Sequence, residues 1–414
     1  MLLIYRTLIN LLFLFSPIII LVRIIKGKEN PIRVKEKFSI FSKKRGKGKL
    51  IWFHGSSVGE ILSIVPLIEK LEKYKSINKI LVTSSTLSSS KVFLKLKLKK
   101  TIHQFFPIDT NFITKRFLNY WSPSVAIFIE SEIWPNMLIN IKKKFIPLVL
   151  INGRITKKSF KKWKIISLFV KFLFEKFDLC LPQNYETKKY LKYLGAKKIK
   201  FTGNIKFSEI ENENKIKLKK NLIKKFRSKK IWCAASTHKN EEKICAKAHK
   251  IIKKKQNNLL TILIPRHIQR TEEIISEIKK LNLKIHLHSS RKKFKNNTDI
   301  YLVDTYGETK SFYKLSSVVF LGGSIINRGG QNPLEPARFG CKIIHGPHVD
   351  NFKEVYKLLD KNSLSTKIYN INQLVNFLKT SFKRKSSSKK ATIKLKALGH
   401  SILNKTLNEI NHFI

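Results

Sequence analysis

The chain is short of acid. Its 414 residues carry 27 Asp and Glu against 84 Lys and Arg, a formal net charge of +57. It is short of arginine too: only 13 of the 84 basic residues are Arg, so lysine sets the charge. The 4 cysteines (Cys180, Cys233, Cys245, Cys341) show no CxxC spacing. That excludes a disulfide frame or a cysteine zinc site and leaves reduced core residues of a cytosolic protein. His345 and His348, in CKIIHGPHVD, stand without a cysteine or carboxylate set to complete a metal site. There is no GxxxxGK[ST] and no GxGxxG, which disfavours a nucleoside triphosphatase or a dinucleotide dehydrogenase. No DxD-type acidic pair follows a strand, so neither a metal nor another cofactor is expected. Without an RNA- or DNA-binding motif, or aromatics interleaved with the basic runs, nucleic acid is not expected as a partner.

What is present begins with the lysines. They are spread along almost the whole chain, in runs such as LKLKLKK and FKKWKIISLFVKF. Compositional drift on solvated faces explains most of them. The sharper use is attraction to an anionic membrane surface, at about 1 kcal/mol per well-placed basic residue. The N-terminal MLLIYRTLINLLFLFSPIIILVRIIKGK has an uncharged run from Thr7 to Val22 between Arg6 and Arg23, with Pro17 in its middle. At 1.5 Å per residue the run is short of a ~30 Å hydrocarbon core. No small-residue cleavage site follows it, which argues against a removable signal peptide. Residues 1–28 therefore read as a membrane anchor, tilted or half-inserted, the alternative being a buried helix of the first domain. The lysine-rich remainder fits a cytoplasmic location by the positive-inside rule.

From about residue 50, apolar strands alternate with amphipathic helices. KLIWF, KILVTSS, SVAIFIE, IPLVLIN and FDLCLP form one series; KIWCAAS, NLLTILIP, LKIHLH, DIYLVD and SVVFLGGS form a second. This is the signature of parallel βαβ units. The polar stretch EIENENKIKLKKNLIKKFRSKK separates the two series. The predicted organisation is an N-terminal Rossmann-like domain over 29–208, a linker over 209–230, and a C-terminal Rossmann-like domain with trailing helices over 231–414. KRKSSSKK, near residue 385, reads as a loop. Two such α/β domains face a crevice, and ligands bind beyond the carboxyl ends of their strands.

Several strand ends carry reactive groups. In FHGSSVGE, Glu60 falls in the first turn of a helix, where the macrodipole favours an anion by about 0.3–1 kcal/mol. That predicts a carboxylate held ionised, fit to act as general base for a hydroxyl, or one that merely stabilises the helix start. In SEIWPN, Glu130 and Glu132 share a face by period-two spacing, although a helix cap would explain one of them. In GGQNPLEPARFG, Pro333 suits a first helical turn capped by Asn332. Glu335 then stands where it can accept hydrogen bonds from the two hydroxyls of a ribose. Arg266, in PRH, offers a bidentate cation for phosphate. Lys206, in GNIKF, lies near the linker. Arginine for phosphate, carboxylate for ribose and a separate carboxylate base together describe a nucleotide-sugar glycosyltransferase.

Seven motifs in order, FHGSSVGE, IESEIWPN with INGR, GNIKF, AASTHKNEE, PRH, VDTYGE and FLGGSIINRGGQNPLEPARFG, resemble the 3-deoxy-D-manno-octulosonic acid (Kdo) transferases of lipopolysaccharide synthesis. The resemblance runs from the N-terminal anchor to about residue 352. It implies a GT-B fold and inverting, metal-independent transfer of Kdo from CMP-Kdo to the lipid A precursor (lipid IVA) at the anionic inner-membrane surface. By motif position it implies Glu60 as general base, with Glu130 and Lys206 stabilising the transition state. The CMP site it implies comprises Pro265, Arg266, Gly307, Glu308, Thr309, Asn332, Pro333, Leu334 and Glu335. Two positions depart from the pattern: Gly55, where another small residue is common, and Thr309, where an apolar residue is expected. The alternative is another GT-B enzyme, a UDP-sugar lipid glycosyltransferase or a sugar-nucleotide epimerase.

Overall fold

The structure is a computed structural model that describes residues 1–96, 98–209, 218, 220–383 and 388–414. The chain divides into two compact units, Met1–Ile210 with Leu398–Ile414, and Glu211–Ala397.

The first unit holds a six-stranded parallel sheet: β1 (Leu50–His54), β2 (Lys79–Ser84), β3 (Thr101–Phe105), β4 (Val125–Ile129), β5 (Leu148–Gly153) and β6 (Leu179–Pro182), in the order β3-β2-β1-β4-β5-β6. Its inner strands are largely apolar because helices cover both faces, whereas the edge strand β3 carries Thr101, His103 and Gln104. On β1, Leu50 and Trp52 point to one face, with Phe117, Leu118, Met137 and Phe174. Ile51 and Phe53 point to the other, with Ile61, Ile64 and Leu67 of the helix Val58–Leu71. The topology turns outward in both directions from β1 and β4, so the ends of these two strands sit at the switch point where such sheets bind ligands.

The second unit is a seven-stranded parallel sheet: β7 (Lys230–Thr237), β8 (Leu259–Pro265), β9 (Ile285–Leu287), β10 (Ile300–Leu302), β11 (Val318–Leu321), β12 (Lys342–His345) and β13 (Ser365–Lys367), in the order β13-β12-β11-β7-β8-β10-β9. Trp232, Ala234, Leu263, Phe320 and Ile344 build its core with Cys245, Ile274, Ile278 and Leu374 of the covering helices. All four cysteines are buried and unpaired, as their apolar settings predict.

Three boundaries differ from expectation. The second unit ends at Ala397 rather than at the C-terminus, because Leu403, Leu407 and Ile410 repeat at helical spacing and bury in the core of the first unit. Lys200–Glu409, at 2.7 Å, reinforces that return. Of the expected linker, residues 210–217 and 219 lie outside the described residues. Lys220–Arg227, however, is a helix, and its Phe226 is buried against Phe294 and Tyr301 with ring centroids 5.3 and 4.9 Å away. In the expected loop near residue 385, residues 384–387 lie outside the described residues and a helix begins at Ser388.

The N-terminus is not one helix but two, Leu2–Leu14 and Ser16–Ile25, bent by 53° where Pro17 opens the second. Neither alone is long and apolar enough to cross a membrane. Leu3, Leu8, Leu11, Leu12, Leu14, Ile18 and Ile25 are exposed. The polar side chains face inward: Tyr5 Oη donates to Asp109 Oδ2 at 2.7 Å and Arg6 Nε to Asn136 Oδ1 at 2.9 Å. Asp109 also accepts from the backbone N–H groups of Asn136 and Met137, at 3.0 and 2.8 Å, and so caps the helix Pro135–Lys143 from outside it. Burial pushes Asp109 up to about 7, against the pull of those donors and of Arg6.

Candidate active site

Glu60 stands at the end of β1. Ser57 is the N-cap of the helix Val58–Leu71, and its hydroxyl accepts from Glu60 N at 3.3 Å. In return Ser57 Oγ donates to Glu60 Oε1 at 2.6 Å, and Ser56 N donates to Oε2 at 2.7 Å. This is a variant of the capping box, in which cap and carboxylate fix each other. Gly55 makes room for it: a Cβ there would lie 2.9 Å from Ile129 Cδ1 and 3.2 Å from Glu60 Cβ. A glycine is therefore the residue that fits this departure from the expected pattern.

The helix start was expected to hold Glu60 firmly ionised. The balance runs the other way. The carboxylate is buried, and burial pushes its pKa up; the hydrogen bond from Ser57 opposes this, and the charges of Glu130 and Glu132 add to the rise. Burial and like-charged neighbours each disfavour the ionised form. The outcome is a stronger base than an exposed glutamate.

Both neighbours come from the end of β4. Glu130 does not continue the strand: its φ of +59° is left-handed, so period-two spacing does not place it with Glu132. The turn sends Glu130 to Lys206 instead, with Lys206 Nζ 2.5 Å from Glu130 Oε1. Lys206 lies in the short 3-10 turn Ile205–Ser208, started by Asn204, whose side chain accepts from Lys206 N at 3.0 Å. Asn152, at the end of β5, accepts from Ile205 N at 3.1 Å. The C-terminal helix lies across this turn at Gly399, where a Cβ would sit 2.4 Å from the carbonyl oxygen of Phe207. Only a glycine tolerates that approach.

Glu132 is held by a directional chain. Trp52 Nε1 donates to Thr83 Oγ1 at 2.9 Å, Thr83 Oγ1 lies 3.0 Å from His54 Nδ1, and His54 Nε2 lies 3.2 Å from Glu132 Oε2. A carboxylate only accepts, so His54 presents an Nε2–H to it, while Nδ1 faces both Thr83 Oγ1 and, at 3.3 Å, the Thr83 carbonyl oxygen. Trp134 Nε1 donates to the same Oε2 at 2.8 Å. Burial works to raise Glu132, but the donors, His54 first, outweigh it and hold the group below the ordinary carboxylate range. Of the two side chains, Glu60 is thus the more basic and Glu132 the more firmly ionised.

In the second unit the same kinds of residue are arranged differently. Arg266 follows β8, its N–H donating to Thr237 O at 2.9 Å, and the rings of His238 and His267 meet edge to face at 5.7 Å. Glu241 is fully buried and accepts from four backbone N–H groups: His238 (3.0 Å), Gly323 (2.7 Å), Ser324 (3.1 Å) and Ile325 (3.0 Å). Glu308 is turned inward, Oε2 accepting from Thr305 Oγ1 at 3.0 Å and lying 2.8 Å from His288 Nε2. Its side chain is therefore occupied, and beside it Gly307 takes φ +91°. The helix after GGQN begins at Leu334, one residue later than expected, with Pro333 as its cap residue. Asn332 Oδ1 still accepts from Leu334 N, at 3.1 Å. Glu335, in that turn, comes within 4.0 Å of Lys310 Nζ, which joins the GET and NPLE segments. Pro265 closes β8. Among the described residues no group of three His, Cys, Asp or Glu has metal-site geometry.

A sequence profile for 3-Deoxy-D-manno-octulosonic-acid transferase (kdotransferase) matches residues 32–209. A 3-deoxy-D-manno-octulosonic acid transferase of Rickettsia bellii is 36% identical over 374 residues, 88% of this chain and 88% of its own length. The Haemophilus influenzae protein of the same name is 30% identical, covering 85% of this chain and 83% of its own. This chain belongs to the Kdo transferase family. Among solved structures, a UDP-GlcNAc 2-epimerase from Neisseria meningitidis superimposes with a TM-score of 0.60 at 11% identity, over 87% of this chain and 100% of its own. At that identity the likeness is one of fold, and it gives the Kdo transferase two Rossmann-like units of the GT-B kind.

Glu60, Glu130 and Lys206 of the Kdo transferase are thus brought together in one unit, and the predicted nucleotide residues all belong to the other. Sequence reasoning missed His54, Asp109 and Glu241. His54 and Glu241 each stood inside a quoted motif, but their partners are 78 and about 80 residues away in the chain. Nothing local marks such a pairing.

Proposed function

We propose that this Kdo transferase moves Kdo from CMP-Kdo to the lipid A precursor, with inversion and without a metal, in lipopolysaccharide synthesis. The observation that carries the proposal is the buried Glu60 carboxylate, fixed by Ser56 and Ser57 and raised in basicity beside Glu130 and Glu132.

Glu60 takes the proton from the acceptor sugar hydroxyl. The hydroxyl oxygen bonds to the anomeric carbon of Kdo as the bond from that carbon to the phosphate oxygen breaks, and CMP leaves with the bonding pair. Attack from the side opposite CMP inverts the anomeric centre. Glu130 supplies negative charge for the developing oxocarbenium ion, and Lys206, 2.5 Å from it, positive charge for the departing anion. Arg266 takes the CMP phosphate bidentately and cannot lose its charge. The Gly307–Thr309 backbone and the Asn332–Glu335 turn hold the rest of the nucleotide, Glu335 on the ribose. The acceptor is an anionic lipid, so we place the enzyme at the cytoplasmic face of the inner membrane. The exposed apolar side chains of the two N-terminal helices insert there and the surrounding lysines bind anionic headgroups. The epimerase reading rests on fold alone, whereas the relatives at 30–36% identity are transferases.

The test is mass spectrometry of lipid A precursor after incubation with the detergent-solubilised protein and freshly generated CMP-Kdo. A gain of one or more Kdo masses supports the reading. No gain, in the presence of demonstrable CMP binding, removes either this acceptor or this sugar.

A further inference from the structure

The loop from Gly322 to Gly330 has already turned most of its backbone donors inward. The N–H groups of Gly323, Ser324 and Ile325, which would otherwise form an anion-binding nest, all point at the Glu241 carboxylate. The N–H of Gly330 closes the loop onto Gly323 O at 2.8 Å, and that of Asn351 donates to Gly329 O at 3.0 Å. An anion approaching the Gly323–Ile325 stretch is therefore met by side chains rather than by these amides.

Those side chains are at hand. Gly323, with φ +67°, lies between His238 and Arg328: a Cβ built on it would be 3.3 Å from His238 Cδ2, 3.4 Å from His238 Nε2 and 3.4 Å from Arg328 Cβ. His238 Nε2 is buried and has no hydrogen-bond partner. Arg328 and Arg266 are both exposed, and among the described residues neither has a carboxylate within ion-pair distance. The charged and titratable groups acting on His238 are Glu241 behind the loop, then His267, Arg328 and Arg266. With Glu241 saturated by amides, the open side is cationic. A nucleoside monophosphate joined to a neutral sugar offers one anionic group to such a place, its phosphate; joined to a sugar acid it offers two, phosphate and carboxylate. Two unpaired arginines and an unsatisfied imidazole nitrogen suit a donor with two anionic groups.

We infer that Arg328, with His238 Nε2, forms a subsite for the carboxylate of the donor sugar acid, separate from the phosphate held by Arg266. The planar guanidinium matches a carboxylate in two parallel hydrogen bonds, and the Nε2–H adds a third donor. The subsite gives the enzyme its selectivity for an acidic sugar over a neutral one. The inference rests on the CMP-Kdo donor proposed above.

The test is competition calorimetry with CMP and freshly generated CMP-Kdo on the full chain, for wild type, Arg328→Ala, Arg328→Lys and Arg266→Ala. Arg328→Ala is expected to weaken CMP-Kdo about tenfold or more while leaving CMP within about twofold. Arg328→Lys keeps the charge but loses the fork, and falls between. Arg266→Ala weakens both ligands. Equal losses of CMP and CMP-Kdo in Arg328→Ala would make it a phosphate ligand and overturn the subsite; so would no loss of either. Should Arg328→Ala fail to fold, a Lys variant indistinguishable from wild type for CMP-Kdo overturns it instead. A wild-type protein that binds no CMP rejects the donor itself, and the inference with it, which is a different result from any of these.

Discussion

The two units treat buried carboxylates in opposite ways. In the first, Glu60, Glu130 and Glu132 crowd one strand-end region, and Glu60 is left with two hydroxyl or amide donors and two like charges. In the second, Glu241 is saturated by four amides and Glu308 is engaged by His288 and Thr305. Arg266 and Arg328 there have no ion-pair partner among the described residues. The same residue type, buried in the same fold, is left basic in one unit and tied down as a brace in the other. What differs is the count of donors around it. Glu60 keeps its capacity for a proton, while Glu241 spends its own on holding a loop still.

That contrast can be broken by substitution. Glu60→Ala should cut the rate of Kdo transfer about 10²-fold or more with CMP affinity unchanged, read by mass spectrometry and calorimetry on the same preparation. Near-normal transfer would remove Glu60 from the chemistry. Arg266→Ala should weaken CMP about tenfold or more and leave the fold intact, since its side chain is exposed and braces nothing; calorimetry and the melting curve check the two halves. Glu241→Gln sharpens the comparison most. It keeps the shape but turns an amide N–H against a backbone N–H, and should cost about 1–3 kcal/mol in denaturant unfolding. Glu60→Gln should do the reverse at neutral pH by a smaller margin. A carboxylic acid whose folded pKa is raised stabilises the fold fully below its unfolded pKa, and that contribution is lost as pH rises through the folded value. Removing its charge therefore helps stability where the ionised wild type is least comfortable, and equal stabilities at neutral pH would say that burial does not strain Glu60.

Much of this division was legible in the sequence, for identifiable reasons. The βαβ alternation and the switch between units follow from largely apolar strands covered on both faces. The strands that escaped, β3, β12 and β13, are polar or short, and β3 and β13 are edges with one neighbour. Glu60 and the Asn332–Glu335 turn were readable because helix starts are local. The return of the C-terminal helix to the first unit was not, because Leu403, Leu407 and Ile410 announce an apolar face without naming what it packs on. Nor was the basicity of Glu60, which depends on Glu130 and Glu132 arriving from β4. Residue identity predicted ionisation by the helix dipole. Tertiary burial reversed the direction.

The claim that Glu60 is the base is tested most directly by the pH dependence of kcat/KM for Kdo transfer in wild type and Glu60→Gln. The raised pKa predicts that wild-type activity falls on acidification with a midpoint above that of a free glutamate, and that this limb disappears from the residual activity of Glu60→Gln. An acid limb that persists unchanged in Glu60→Gln would assign the proton acceptor to another group and contradict the account.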